Sequence, residues 1–231
     1  MTFDTPVASA TVDLEIWTAA RVEVDASAPE SLRIIMRWIR DHIVKPHVEL
    51  GRAGPVCPFV APALELQCLW LAAVERPIAG DADLCGIVAQ LLQLYDTYEY
   101  TAGADHRLRT FVVVLPTVSN DDEWEQIARV HAGMKPTVVS RGLMLGEFHA
   151  RSTSPGVHNA AYRPLRSPIP LFVLRHMVPG DLIFLNRDAD PPRQRAHFLR
   201  SYLRSMAAEL TPERLSEACR ALVAAESQAA R

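Results

Sequence analysis

The sequence predicts an α+β fold, a single domain in which a mostly antiparallel sheet of about four strands is packed with helices and ends in a helical C-terminus. Three observations point there. Segments of helical period alternate with short apolar runs of strand length, and the last third reads as helix throughout. Neither GxGxxG nor GxxxxGK[ST], the phosphate cradles of parallel nucleotide-binding sheets, occurs anywhere. A parallel α/β arrangement is the alternative topology.

The elements follow in order. Residues 1–24 read as an irregular or partly stranded lead-in, and 25–231 as the domain. "SAPESLRIIMRWIRDHIV" predicts a helix, with Leu32, Ile35, Met36, Ile39 and Ile43 at helical spacing, Ser27 as cap and Pro29 in the first turn. Pro46 ends it, and the loop "KPHVELGRAGPVCPFVAPA" follows. "LELQCLWLAAV" (64–74) reads as a strand, "DADLCGIVAQLLQLYDTYEY" as a helix and "RTFVVVLP" (109–116) as the strongest strand of the chain. "SNDDEWEQIARVHAGM" starts a helix under an Asn120 or Asp121 cap. Strands are expected over 142–150 and 169–177, then a short helix at "DLIFL" with Asp181 as its cap. A helical pair closes the chain over 190–229, its second member capped by Thr211 with Pro212 at the first position.

Composition narrows the function classes. A chain of 231 residues that is 49% hydrophobic can bury a sizeable core, and its net charge of −3 gives no general pull toward nucleic acid or anionic lipid. No apolar run approaches the ~18 residues of a membrane span, and the acidic start lacks the features of a signal peptide. Cys57, Cys68, Cys85 and Cys219 are scattered without a CxxC pair, against both a zinc knuckle and a disulfide framework. The expectation is a cytoplasmic protein that acts on a small-molecule substrate, with no nucleic-acid or membrane partner and a homodimer as one option.

Three regions hold the residues that carry chemistry. The opening loop offers His47, Arg52 and Cys57; Pro55 and Pro58 bracket Val56-Cys57 and stiffen the turn. The plain alternative is that Cys57 fills space and Phe59 anchors the loop. The second region, "GEFHARSTSPGVHNAAYRPLRSP", places Glu147, His149, His158, Asn159, Tyr162, Arg163 and Arg166 in a long connection between two strands. Such residues suffice for a metal or acid/base site but match no recognised ligand spacing, and a solvated loop is the competing reading. The third is "LRHMVPGD", where consecutive Arg175 and His176 point to opposite faces of a strand. Arg195, Arg200 and Arg204 read as a solvated helix face, and His131 as a residue favoured by the helix dipole. No GxSxG elbow occurs.

"KPHVELGRAGPVCPFV", "LMLGEFHARSTSPGVHN" and "YRPLRSPIPLFVLRHMVPGDLIFL" together resemble a bacterial, mainly actinobacterial, domain of unknown function found near biosynthetic genes. More distantly, Cys57-Pro58-Phe59, a helix with Trp124 and His131, the strand at 143–149 and Arg163 with Arg166 are similar to the YqcI/YcgG family of haem-dependent N-hydroxylases. The Trp-Pro pair of that pattern is replaced here by "GMKPT". The second resemblance implies haem as cofactor and an oxygenase hydroxylating a small amine or amino acid in specialised metabolism. It implies an axial ligand among the histidines, with His149 the leading choice, His131, His158 and His176 behind it and Cys57 as a competing thiolate. Arg52, Arg163, Arg166 and Arg175 would then meet propionates or a substrate carboxylate. His47, Glu147, Asn159, Tyr162 and His176 are left to contact substrate. The alternatives are a cofactor-free small-molecule enzyme or binder working through a His/Arg/Glu cleft, and an accessory subunit of a biosynthetic complex. Each enzyme or accessory reading requires the opening loop, the 147–166 loop and the strand end near 175 to converge.

Overall fold

A computed structural model describes residues 14–100 and 105–231 of the chain. The expectation for residues 1–13 lies outside the described residues. The rest of the lead-in is partly stranded, as one of the two expected forms has it, and then turns helical. A two-residue strand, β1 (Trp17–Thr18), runs straight into α1 (Ala19–Val24), and Thr18 Oγ1 caps this helix by accepting from the Arg21 N–H at 3.1 Å. Trp17 and Val22 are buried in the main core.

The next helix, α2 (Glu30–Trp38), buries Leu32, Ile35 and Met36 and widens into a π turn over Ile39–Ile43. The expected Ser27 cap does not form. Pro29 occupies the cap position without a side-chain bond, while the Ser27 hydroxyl and N–H both donate to Asp25 at 2.6 and 2.9 Å. The nearer carboxylate wins the serine.

The strand expected over 64–74 begins later. Val60–Glu65 forms α3, which tolerates Pro62 because the first turn of a helix needs no N–H there. The chain reverses through Gln67 at φ 53° before β2 (Leu69–Ala73). α4 (Asp81–Thr97) and β3 (Thr110–Val114) follow as expected. α5 (Asp121–Ser140) opens on a reciprocal box in which Asn120 caps the Glu123 N–H, and it runs past Pro136 to Ser140. β4 (Leu143–Phe148), β5 (Leu171–His176), the short α6 (Leu182–Leu185) and the pair α7 (Pro192–Met206) and α8 (Pro212–Ala229) complete the order.

The five strands lie in the order β1-β2-β3-β5-β4, with β2 and β3 parallel and the other neighbours antiparallel. This is an α+β architecture, with one strand more than expected. β3 and β5 are interior, which is why Phe111–Val114 and Leu171, Phe172 and Leu174 are almost wholly buried. β4 is an edge strand, and α5 packs along it.

A second apolar cluster joins Val139, Met144 and Met177 to Leu199, Tyr202 and Met206 of α7 and to Ala218 and Ala225 of α8. One arginine of α7 is not on a solvated face, contrary to expectation. Arg195 is 5% exposed and donates to Asp188 at 3.0 Å and to Gln228, whereas Arg200 pairs with Glu226 at the surface and Arg204 is exposed. Arg195 turns inward because α8 covers its helix. Among the described residues no helix is long and apolar enough to cross a membrane.

Candidate functional site

The opening loop folds back on its own stem. Val56 N–H donates to Lys45 O and Cys57 N–H to Ile43 O, both at 3.0 Å, and Pro46 and Pro55 face each other as an antiparallel bridge. Arg52 closes the loop by donating to the carbonyls of Ala53, Pro55 and Val56 at 2.8, 2.9 and 3.2 Å. Its guanidinium is therefore a structural staple.

The long connection at 149–170 docks against that loop. Asn159 Nδ2 donates to Glu49 O at 2.8 Å, and the Tyr162 ring stacks on His47 with centroids 4.8 Å apart. The Tyr162 hydroxyl and His42 Nε2 share a hydrogen bond of 3.1 Å. The π turn in α2 is what carries His42 there. Burial and the neighbouring His47 hold His42 below its ordinary pKa, so it stays neutral, and burial raises Tyr162. Gly51, at φ 73°, lies against the His158 carbonyl so closely that a Cβ would stand 2.7 Å from its oxygen. His158 itself is exposed. Arg163 bonds the carbonyls of Ala160 and Tyr162, and Arg166 that of Ser152.

At the end of β5 the two consecutive residues diverge. Arg175 forks onto Asp181 at 2.6 and 2.8 Å, and Asp181 also accepts from the Val178 N–H at 2.8 Å. Burial opposes the Arg175 charge, but the Asp181 carboxylate more than offsets it. Asp181 is thus not the side-chain cap of α6; it closes the turn before α6 and holds Arg175. His176 turns the other way, edge-on to His106 at 5.1 Å between centroids. Beside it lies a cleft of about 520 Å³ lined in part by Phe59, Arg107, Leu108, Pro179 and Glu209. Phe59 is 37% exposed there, so it does not anchor the loop as expected.

A different cluster holds three of the six buried polar atoms that lack a hydrogen-bond partner among the described residues. Glu147 and His149, two apart on the extended edge, share a face; Trp124 and His131, two turns apart on α5, share another, and these faces meet. His149 stacks on Trp124 with centroids 6.0 Å apart and planes 21° apart. His131 Nε2 donates to Leu145 O at 2.9 Å, which covers the free carbonyl of the edge strand and leaves the Nδ1 lone pair facing Glu147 Oε2 at 3.9 Å. Burial pushes Glu147 up to about 7 and His131 down to about 4, and it lowers His149 as well. At neutral pH the 3.9 Å approach is accordingly between a largely protonated or half-ionised acid and a neutral imidazole, not an ion pair. Trp124 Nε1, Glu147 Oε2 and His149 Nδ1 are buried without a hydrogen-bond partner among the described residues. A buried polar atom left unpaired costs about 1–3 kcal/mol, a cost that a water or a polar molecule bonded to these atoms would offset.

Haem held by His149 does not fit this arrangement. The imidazole is 8% exposed, its face is covered by Trp124, and neither this cleft nor the smaller one near Thr18 and Arg40 is lined by His149 or His158. Of the arginines expected at propionates, Arg52, Arg163 and Arg166 bond backbone carbonyls and Arg175 bonds Asp181.

Of the three expected regions, the opening loop contacts the 158–162 segment, and its Phe59 shares a cleft wall with Val178 and Pro179 just beyond β5. Glu147 and His149 sit apart from that seam, against α5. Sequence reasoning missed Trp124 and His131 as partners of Glu147, since a helix and a strand give no common spacing. A Trp and a His two turns apart on one helix face was the available signal. It also missed His106 and Glu209 entirely.

Residues 32–217 match a domain of unknown function, DUF6875, and the chain belongs to that family. No curated protein and no solved structure matches it.

Proposed function

We propose that the protein is a small-molecule enzyme working by proton transfer, with Glu147 as its acid/base group, His131 orienting it, and His149 and Trp124 as binding groups. The observation that carries this reading is the set of three buried, unpartnered atoms, Trp124 Nε1, Glu147 Oε2 and His149 Nδ1, on the faces that also hold His131. Their chemistry is complementary to a compact polar molecule: the indole N–H seeks an acceptor oxygen, and the imidazole and carboxyl can each donate or accept.

The electrostatics suit the role. A carboxyl raised to about 7 holds a proton near neutral pH and can either give it up or take one back, which is what general acid/base work asks of a group. The exchangeable proton stays on Glu147, since burial keeps His131 neutral; His131 Nδ1 faces that carboxyl as an acceptor that orients it. Its tautomer is set by the Leu145 carbonyl, as a base is oriented by a third group in hydrolytic triads. The side chains of Glu147 and His131 are 14% and 21% exposed.

A panel of small amines, amino acids and carboxylic acids, screened by thermal shift against the wild type, Glu147→Gln and His149→Ala, tests the reading. The expected result is a ligand that raises the Tm of the wild type and that both variants bind at least about tenfold more weakly, the loss of one charge-assisted bond. Hits that bind both variants as tightly as the wild type would place the ligand elsewhere and sink the proposal.

A further inference from the structure

Three segments far apart in the chain bring a different set of side chains together. His106 comes from the short turn before β3, His176 from the last position of β5, and Glu209 from the turn that follows α7. A ring nitrogen of each histidine and a carboxylate oxygen of Glu209 all lie within 4.8 Å of one another. Among the described residues none of these three side chains makes a hydrogen bond, and His106 Nδ1 lies 3.8 Å from Asp105 Oδ1. The three therefore converge without satisfying one another's neighbours, and two imidazoles edge-on at 5.1 Å are poor partners for each other.

We propose that His106, His176 and Glu209 form a binding site for a divalent first-row transition-metal ion such as Zn2+, with its open coordination positions facing the adjacent cleft. Two imidazoles and one carboxylate are a donor set that Zn2+ and Fe2+ both accept, and three protein ligands leave room for water or a small molecule. Ligand atoms already within 4.8 Å need only side-chain rotation to reach the ~2.0–2.2 Å bonds of such an ion. His106 and Glu209 are exposed and free to turn, while half-buried His176 supplies the fixed point.

Of the three arginines near the site, two are held by carboxylates. Arg107 is paired with Asp105 at 2.8 Å and Arg175 with Asp181 at 2.6 Å; Arg109 lies over the Tyr100 ring at 3.6 Å. Glu209 belongs both to the ligand set and to the wall of the 520 Å³ cleft, where Phe59 and Leu108 offer apolar surface and the Arg107–Asp105 pair a polar rim. A metal at this point would front a cavity of small-molecule size, suited to a molecule that places a donor atom on the ion. The site is separate from the Glu147 cluster and does not rest on the reading given for it.

The test is titration of the full chain, stripped with a chelator and kept reduced, with ZnCl2 by calorimetry and with Co2+ by visible absorption. The expected result is one ion per chain, with affinity lowered at least about tenfold in His106→Ala and in Glu209→Gln, both exposed positions whose folding is checked by circular dichroism. Cys57→Ser and His158→Ala should bind as the wild type does, and Co2+ should show no thiolate charge-transfer band. Binding that survives both His106→Ala and Glu209→Gln, or no binding at about 100 μM metal, the range of weak adventitious contacts, would overturn the proposal.

Discussion

Arg175 and Asp181 meet as a two-bond fork of 2.6 and 2.8 Å, with the aspartate only 1% exposed. The pair locks the last residue but one of β5 to the turn that starts α6, and the Tyr202 hydroxyl donates to Pro179 O within the same turn at 2.8 Å. The end of the sheet and the C-terminal helices are joined through this point.

Removing one partner of a buried pair leaves the other charge uncompensated. Asp181→Ala should therefore cost about 3–5 kcal/mol in urea unfolding. Glu30→Ala, which breaks an exposed pair with Arg33 of similar length, should cost no more than about 1 kcal/mol. Equal losses would show that burial does not set the value of the pair.

The Glu147–His131 pair makes a pH prediction. Glu147 has a folded value of about 7 against an ordinary 4.5, so its contribution is present below about 4.5 and is lost as pH rises through about 7. His131 has a folded value of about 4 against 6.5, so its contribution is present above about 6.5 and is lost as pH falls through about 4. Each is worth at most about 3 kcal/mol, and between about 4.5 and 6.5 the two slopes oppose and nearly cancel. Relative to the wild type, Glu147→Gln should gain stability as pH rises from about 4.5 to 7, and His131→Asn should lose it from about 4 to 6.5. Urea midpoints measured across this range decide it; difference profiles that stay flat would refute the shifts.

Gly51 joins the two loops. At φ 73° and with the His158 carbonyl in the path of a Cβ, Gly51→Ala should cost about 1–3 kcal/mol and speed proteolytic cutting within 45–59. Protection unchanged from the wild type would mean that the docking of 158–162 on the opening loop does not hold that loop.

Asn120→Ala removes the side-chain half of the box at the head of α5 and should lower stability by about 1 kcal/mol, read from the thermal midpoint. Because Trp124 lies on the first turns of this helix, the same variant should also weaken any ligand of the Glu147 cluster; intact binding would show that fraying does not reach Trp124.

Most elements were legible because they rest on local chemistry. The capping of α5 by Asn120 and of α8 by Thr211, and the β-branched run of β3, are decided within a few residues. The misreadings arose where neighbours compete. Ser27 had a closer acceptor in Asp25, Pro62 fell in the first turn of a helix, where its missing N–H costs nothing, and Arg195 was covered by a helix far along the chain.

By itself, then, the sequence determined the α+β class, the core-facing stripes and the chemistry available in each loop, because periodicity and turn residues act over short range. Tertiary structure alone decided which of those side chains are free to act. Arg52, Arg163 and Arg166 were absorbed by backbone carbonyls and Arg175 by Asp181. Glu147 was set against His131, and His106, His176 and Glu209 were drawn within 4.8 Å of one another. The reason is that hydrogen-bond satisfaction and desolvation depend on what lies across space, and no spacing along the chain records it.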